Sequence, residues 1–354
     1  MEDPKTIDKV RVLELFSGIG GMHYGLLDSG IPFEIKLAID INDIANKVYA
    51  HNFPSSKIVS KNIKGLTPAF INKLGINTIC MSPPCQPFSR NGNFKDLEDA
   101  RSDPFNHICE MIPALTSVDF ILMENVMGFE KSVAHKKYIG VLQDAGFSYE
   151  EFIISPSELG VPNSRNRYYC IARRHFGEAF RNQMISTEKV SEERQKIEEF
   201  LEQNKTFDDF YLSDKILSTR FKVFDIVDKD STNSMCFTKA YTHYLEGTGS
   251  VFTEKSKAEV QKAFENLLPN DEKPEDPEQK RTKIDPLPLL KPLKLRFFTP
   301  REVANLMSFP SDKFSFPDTV TNKQRYRLLG NSVNIKVVSH MIKCLFNKVT
   351  FDNR

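Results

Sequence analysis

The sequence predicts an α/β fold, in which helices flank a parallel sheet. Short apolar runs typical of buried strands recur through residues 10–172, and each interval is long enough to hold a helix. Strands joined in this way form a parallel sheet with right-handed crossovers. With 354 residues, the chain can also form one large domain with a substantial core and a smaller second domain.

The predicted elements alternate along the chain. We expect strands over residues 10–16, 35–41, 76–81, 119–125 and 168–174, and helices over residues 21–30, 42–51 and 105–115. Ligands of parallel α/β sheets bind beyond the carboxyl ends of the strands. The chemically distinctive residues fall at such ends, namely residues 18–21, Asp40, Cys85 and Glu124.

Charge and cysteine usage narrow the class of protein. A formal net charge of +1 excludes binding to nucleic acid through bulk charge, so any such binding requires a local basic patch. The six cysteines include no CxxC pair, which argues against a zinc cluster, a metal site or a disulfide framework.

The first residues lack an apolar signal core and no segment is long enough to span a bilayer. We expect a monomer in the cytoplasm, with the nucleus as a second location, and no membrane partner.

A glycine-rich turn indicates a nucleotide-like cofactor. The run FSGIGG, residues 16–21, follows a strand and opens a helix, and Asp40 ends the second strand about 20 residues later. An acidic residue at that position binds ribose hydroxyls in nucleoside-cofactor folds. Because no Walker lysine or phosphate-binding loop is present, S-adenosylmethionine fits better than NAD or ATP. The alternative is a simple tight turn with a helix-capping aspartate.

The most distinctive candidate residue is Cys85, which lies among Pro83, Pro84 and Pro87. Prolines fix the backbone, so this segment is predicted to be a rigid loop that holds one thiol at a strand end. A thiolate is a strong nucleophile, and Glu124 at the end of the next predicted strand could act as its general acid. The alternative for Cys85 is an inert buried thiol.

Two arginines complete the set of candidate catalytic residues. Arg165 and Arg167 alternate just before the strand at 168–174, so they point to the same face. Their fixed donors suit a carbonyl oxygen, a phosphate or a carboxylate. The alternative is a pair of solvated surface side chains.

Six ordered motifs resemble those of the cytosine-5 methyltransferase family, over roughly residues 10–172 and 295–345. They are FSGIGG, PPCQPFS, ENV, the RNR pair, FFTPREVANLMSFP and RLLGNSVN. The resemblance implies a Rossmann-like S-adenosylmethionine-dependent methyltransferase domain with a smaller target-recognition domain. Residues 1–175 would form the first part of the catalytic domain, 176–294 the target-recognition domain with a mobile loop at about 270–292, and 295–354 the return that completes the catalytic domain.

The resemblance also implies a mechanism. The Cys85 thiolate would attack C6 of a cytosine, which makes C5 able to accept the methyl group of S-adenosylmethionine and leaves S-adenosylhomocysteine. Glu124 would hydrogen-bond N3 and the exocyclic amine and donate a proton, while Arg167, supported by Arg165, would hold O2. By the same resemblance, the cofactor would be bound by Phe16, Ser17, Gly18, Ile19, Gly20, Gly21, Asp40, Ile41, Asn62, Ile63, Ser82, Pro84, Asn331, Ser332 and Val333.

Two features are similar to the type-2 branch, the DNA-methyltransferase-like enzymes that methylate transfer RNA. They are the segment CFTKAYTHYLEGTGSVF at 236–252 and Asn163, which stands where DNA-modifying members commonly have Gln. The implied substrate is cytosine 38 in the anticodon loop of aspartate tRNA. The expected RNA contacts are Arg90, Arg101, Lys239, Tyr241 and His243. A DNA cytosine-5 methyltransferase and a non-catalytic RNA-binding or cofactor-binding protein remain as alternatives.

Overall fold

A computed structural model describes residues 6–84, 103–185, 193–203, 206–267 and 285–352. The predicted site residues Cys85, Arg90 and Arg101 lie outside this range, as does most of the loop predicted at 270–292. Across the described residues, no helix has the length and apolar character that crossing a membrane requires.

The described strands include all five that were predicted. In chain order they are β1 (Thr6–Ile7), β2 (Val10–Leu15), β3 (Phe33–Asp40), β4 (Ile58–Ser60), β5 (Thr78–Met81), β6 (Phe120–Val126), β7 (Ser148–Ile154), β8 (Arg167–Arg173), β9 (Gln183–Ile185), β10 (Ile226–Val227), β11 (Val251–Phe252), β12 (Arg296–Phe297) and β13 (Thr350–Phe351).

The three predicted helices are also present, the third followed by a 3₁₀ turn at Ile112–Ala114. The described α-helices are α1 (Gly21–Ser29), α2 (Asp43–Asn52), α3 (Pro68–Lys73), α4 (Asp103–Met111), α5 (Val133–Asp144), α6 (Asp214–Arg220), α7 (Lys257–Leu267), α8 (Leu287–Leu290), α9 (Pro300–Leu306), α10 (Asn322–Gly330) and α11 (Ile335–Leu345).

One strand of the large sheet runs against the predicted direction. The sheet has the order β4-β3-β2-β5-β6-β8-β7-β9, and β8 is antiparallel to both β6 and β7. The prediction of a parallel sheet is therefore wrong at β8. The reason is β7, whose two glutamates obscure its strand pattern in the sequence. The chain passes from β7 to β8 without a crossover helix, so β8 returns in the opposite direction.

Each face of the large sheet is covered by apolar packing. On β2, Leu13 and Leu15 point into one core cluster, which includes residues of α4 and α5, whereas Val10 and Val12 point into a second cluster. This alternation is that of a strand buried on both faces. The second cluster includes buried residues of α11, so the C-terminal part of the chain completes the core around the large sheet.

A small sheet of order β10-β11-β12 forms away from the large one. The strand Gln183–Ile185 follows the predicted boundary at 175 but belongs to the large sheet. The strand Arg296–Phe297 follows the predicted boundary at 294 but belongs to the small sheet. The predicted division of the chain at 175 and 294 stays a prediction. The expected mobile loop at about 270–292 also stays a prediction; within that range, Leu287–Leu290 is helical and Leu290 is buried in an apolar cluster.

Candidate active site

A cavity of about 370 Å³ lies at the carboxyl edge of the large sheet. Most of the predicted catalytic and cofactor residues within the described range line it together. The lining residues are Phe16, Gly18, Ile19, Asp40, Ile41, Asn42, Ala45, Ser82, Pro83, Pro84, Glu124, Val126, Arg165, Arg167, Leu328, Gly330, Asn331 and Ser332. Cys85 lies outside the described residues, and Pro84, its neighbour in the sequence, is part of this lining.

Asp40 shapes the glycine-rich turn at one end of the cavity. The backbone N–H of Gly18 donates to Asp40 Oδ2 at 2.8 Å, and that of Asn42 donates to Oδ1 at 2.8 Å. Burial raises the pKa of the Asp40 carboxyl, while these backbone donors oppose the rise. Each carboxylate oxygen can accept more than one hydrogen bond, so Asp40 can still accept a hydroxyl from a ligand.

Four predicted cofactor residues lie behind the turn or beside it. A Cβ on Gly20 would lie 2.7 Å from Phe53, and a Cβ on Gly21 would lie 2.6 Å from Val333. These glycines therefore allow α1 to pack closely, and Val333 is buried in the core. The hydroxyl of Ser17 is buried and has no hydrogen-bond partner among the described residues.

Asn62 and Ile63 are also absent from the lining of the cavity. The Asn62 Oδ1 caps a short 3₁₀ helix by accepting from Lys64 N at 3.0 Å, and Ile63 is buried in the core of the large sheet. Their local role is therefore structural, and a cofactor contact at Asn62 and Ile63 stays a prediction.

Glu124 and Arg167 meet in the cavity. Arg167 Nε lies 3.5 Å from Glu124 Oε1, and the two side chains are 18% and 10% exposed. Burial raises the pKa of the Glu124 carboxyl, and the positive charges of Arg167 and Arg165 offset this only in part. A carboxyl that keeps its proton more readily than usual is suited to general acid chemistry.

Arg165 is buried, and both of its terminal nitrogens donate to protein acceptors, whereas its Nε has no hydrogen-bond partner among the described residues. Nη1 donates to Phe237 O at 3.1 Å and to Cys236 Sγ at 3.3 Å. Nη2 donates to Gly330 O at 3.2 Å and to Ser332 O. This geometry agrees with a supporting role for Arg165 rather than with direct contact to a substrate.

Sequence reasoning did not single out the thiol of Cys236. Its Sγ accepts from Arg165 Nη1 at 3.3 Å and lies 3.9 Å from Arg167 Nη2. Burial would raise the pKa of this thiol, but the two arginines outweigh burial and hold its pKa below the usual value. The signal in the sequence is the segment at 236–252, which begins at Cys236 and resembles the type-2 branch.

The expected RNA contacts Lys239, Tyr241 and His243 differ in their exposure. Lys239 and His243 are exposed and line a second cavity of about 580 Å³, whose wall also contains Lys323 and Arg327. Tyr241 is instead 3% exposed, and its hydroxyl donates to Ser250 O at 2.7 Å and accepts from Phe298 N at 2.9 Å. The Tyr241 side chain thus packs in the core, although it also lines this cavity, and its contact with RNA stays a prediction.

A family model described as C-5 cytosine-specific DNA methylase matches residues 10–347. The chain belongs to the C-5 cytosine-specific DNA methylase family. This membership confirms the predicted methyltransferase fold and agrees with a cavity that joins a glycine-rich turn to Glu124 and Arg167.

Known members of this family resemble the chain over nearly its whole length. A tRNA (cytosine(38)-C(5))-methyltransferase from Spodoptera frugiperda is 46% identical, covering 95% of this chain and 99% of the relative. A DNA (cytosine-5)-methyltransferase from Dictyostelium discoideum is 33% identical, covering 96% of this chain and 95% of the relative. A crystal structure of a Spodoptera frugiperda DNMT2 mutant superposes with a TM-score of 0.84 at 44% identity, covering 96% of this chain and 100% of that chain.

Proposed function

We propose that this protein is an S-adenosylmethionine-dependent tRNA (cytosine-5) methyltransferase that acts on cytosine 38 in the anticodon loop of aspartate tRNA. The observation that carries the proposal is the cavity in which Glu124 and Arg167 lie beside the glycine-rich turn. The choice of RNA is supported by the name of the relative from Spodoptera frugiperda, which is 46% identical.

The chemistry requires a nucleophile, because C5 of a cytosine ring does not attack a methyl donor unaided. We assign that role to Cys85 from the sequence, where it directly follows the cavity residue Pro84. A bond from the Cys85 sulfur to C6 would push electrons toward N3 and C5 and make C5 enamine-like. C5 could then bond to the methyl group as the sulfur–methyl bond of S-adenosylmethionine breaks, which would leave S-adenosylhomocysteine.

Glu124 and Arg167 would stabilise the charge that this addition creates. The Glu124 carboxyl would donate its proton to N3 as negative charge develops there, and Arg167 would hold O2. Once C5 carries the methyl group, loss of the C5 proton to a base would re-form the 5,6 double bond and expel the Cys85 thiolate. Glu124 would take its proton back from N3.

The residues around the turn suit S-adenosylmethionine, which supplies an electrophilic methyl group on a sulfonium. Asp40 would accept hydrogen bonds from ribose hydroxyls, and the unpartnered hydroxyl of Ser17 would meet a polar group of the cofactor. Ile41 is 69% exposed at the rim, where an adenine ring would cover its apolar surface.

The target base must leave its stack to reach the cavity, and an anticodon-loop base is easier to extract than a paired one. Lys239 and His243, which line the second cavity, would contact the RNA backbone. We further propose a monomer located in the cytoplasm, with the nucleus as a second location.

DNA is the second candidate substrate, and the relative from Dictyostelium discoideum carries a DNA methyltransferase name. The net charge of +1 gives little support for binding to a long duplex. A purely binding protein is the third candidate, and it would have no use for a buried carboxyl together with the proline-flanked cysteine Cys85.

Tritium transfer from labelled S-adenosylmethionine separates these candidates. The acceptors are transcribed aspartate tRNA, the same transcript with uridine at position 38, and duplex DNA, with Cys85→Ala as the control variant. We expect label only in the unaltered tRNA and none with Cys85→Ala. Label in DNA alone would refute the RNA assignment, label in neither would refute an enzymatic role, and activity of Cys85→Ala would refute the mechanism.

A further inference from the structure

Two chain segments that lie far apart in the sequence are interlocked beside the cavity. We call residues 233–237 the recognition segment, because they open the part of the small domain that carries Lys239 and His243. Asn163 Nδ2 donates to Ser234 Oγ at 3.0 Å and to Met235 O at 3.0 Å. Ser164 N donates to Ser234 O at 2.8 Å, so the loop before β8 holds the recognition segment along its length.

Arg165 extends this interlock to the other side of the cavity. Its Nη1 holds Phe237 O and Cys236 Sγ of the recognition segment. Its Nη2 holds the carbonyls of Gly330 and Ser332, and we call residues 330–332 the cofactor-side turn because all three line the cavity that contains the glycine-rich turn. One buried guanidinium, 4% exposed, therefore joins the two segments.

The two segments also touch directly. A Cβ added to Gly330 would lie 2.1 Å from Lys239 N and 2.2 Å from Thr238 C, so only glycine permits this approach. A shift of the backbone on the RNA side must therefore move the cofactor-side turn or break the bonds of Arg165. The planar guanidinium fixes the spacing of its acceptors, which a flexible ammonium group cannot do.

We propose that Arg165 is a positioning residue that couples RNA binding to cofactor binding. RNA would order the recognition segment, and the cofactor would order the cofactor-side turn. Because Arg165 is bonded to both segments, the ligand that binds first also restricts the motion of the other segment, and the second ligand then loses less conformational entropy on binding. The identity of the nucleic acid in this inference rests on the proposed function. The coupling itself rests on the bonds of Arg165.

Equilibrium binding of S-adenosylhomocysteine, measured by calorimetry with and without saturating aspartate tRNA, tests the coupling. The variants are Arg165→Lys and, as a matched control, Arg174→Lys, since Arg174 is also largely buried and donates to the carbonyls of Val118, Ala145 and Leu115 away from the cavity. Thermal melting of each variant shows whether it is folded. A transfer assay on the wild-type protein first identifies which nucleic acid accepts methyl groups, and that nucleic acid is used in the binding cycle.

In the wild-type protein we expect the nucleic acid to tighten S-adenosylhomocysteine binding about fivefold or more. With Arg165→Lys, binding without nucleic acid should weaken about tenfold and the tightening should vanish, whereas Arg174→Lys should keep both values. A wild-type protein without tightening, or a folded Arg165→Lys that keeps it, would overturn the inference. Methyl transfer to DNA alone would refute the proposed function, yet the same cycle run with DNA would still decide the role of Arg165.

Discussion

Arg167 Nε lies 3.5 Å from Glu124 Oε1, across a pair of antiparallel strands in which Arg167 is opposite Val126. This pairing depends on the direction of β8. A parallel strand would carry its first residue to the opposite edge of the sheet, about 20 Å away at about 3.3 Å per residue. The reversed strand is therefore what gives the buried carboxyl its positive partner.

Replacement of Glu124 by Gln is expected to lower the single-turnover rate of methyl transfer to tRNA by roughly 10²–10⁴-fold. Gln can hydrogen-bond to N3 but cannot deliver a proton to it. Cofactor binding should stay within about twofold of the wild-type value, because Gln preserves the size of the side chain. Retention of more than about a tenth of the wild-type rate would contradict the role of Glu124 as general acid.

The wild-type rate should also fall as pH rises through the raised pKa of Glu124. Burial raises the pKa of Glu124, so this carboxyl keeps its proton to higher pH than an ordinary glutamate and loses it as pH rises through the raised pKa. Removal of the positive charge in Arg167→Gln should raise the pKa of Glu124 further and move the alkaline limb to higher pH. Rates measured for both proteins over about pH 5 to about pH 9 check this. If the rate of Arg167→Gln fell at the same pH as that of the wild-type protein, or at a lower pH, the coupling between the two side chains would be disproved.

The sequence was sufficient for much of this site because its signals are local. The glycine-rich turn with Asp40, the end of β6 at Glu124 and the alternating Arg165 and Arg167 each depend on a few neighbouring residues. Their meeting in one cavity follows from the rule that strand ends share an edge. The direction of β8 was missed because it depends on β7, where Glu150 and Glu151 interrupt the apolar run.

Tertiary contacts account for the other differences. The sequence gives the same prediction for Tyr241 and His243, namely a contact with RNA near Lys239. In the structure, Tyr241 is buried and His243 is exposed. The bonds of Arg165 to Phe237 and Gly330 join residues from three distant parts of the chain. Such contacts leave no periodic or local pattern that a sequence could reveal.

A pair of glycine substitutions tests the close approach at the cofactor-side turn. Gly330→Ala would place a methyl group 2.1 Å from Lys239 N, so we expect loss of methyl transfer and a lower melting temperature. Gly140→Ala is the matched control, since it lies within α5 and its Cβ would meet no atom within 4 Å. That variant should be more stable by about 0.5–1 kcal/mol, because alanine favours the helix. A wild-type rate in Gly330→Ala would show that the two segments can separate without loss of function.

The last prediction concerns Glu14, which is buried behind the glycine-rich turn and accepts a hydrogen bond from Tyr49 Oη at 2.8 Å. Burial raises the pKa of Glu14 to about 8, against 4.5 for an ordinary glutamate. The folded protein therefore keeps this proton after the unfolded chain has lost it. Its contribution to stability is fully present below about pH 4.5 and is lost as pH rises toward about 8.

Glu14→Gln imitates the protonated carboxyl and cannot ionise. Its free energy of unfolding should thus decline less than that of the wild-type protein between about pH 5 and about pH 8, with a difference of the order of a few kcal/mol. Urea unfolding of both proteins across this range measures the difference, and Glu110→Gln, at an exposed glutamate, controls for the loss of one negative charge. If Glu14→Gln followed the wild-type pH dependence, Glu14 would have to be ionised in the folded protein at neutral pH, and the hydrogen bond from Tyr49 would then be serving a buried carboxylate.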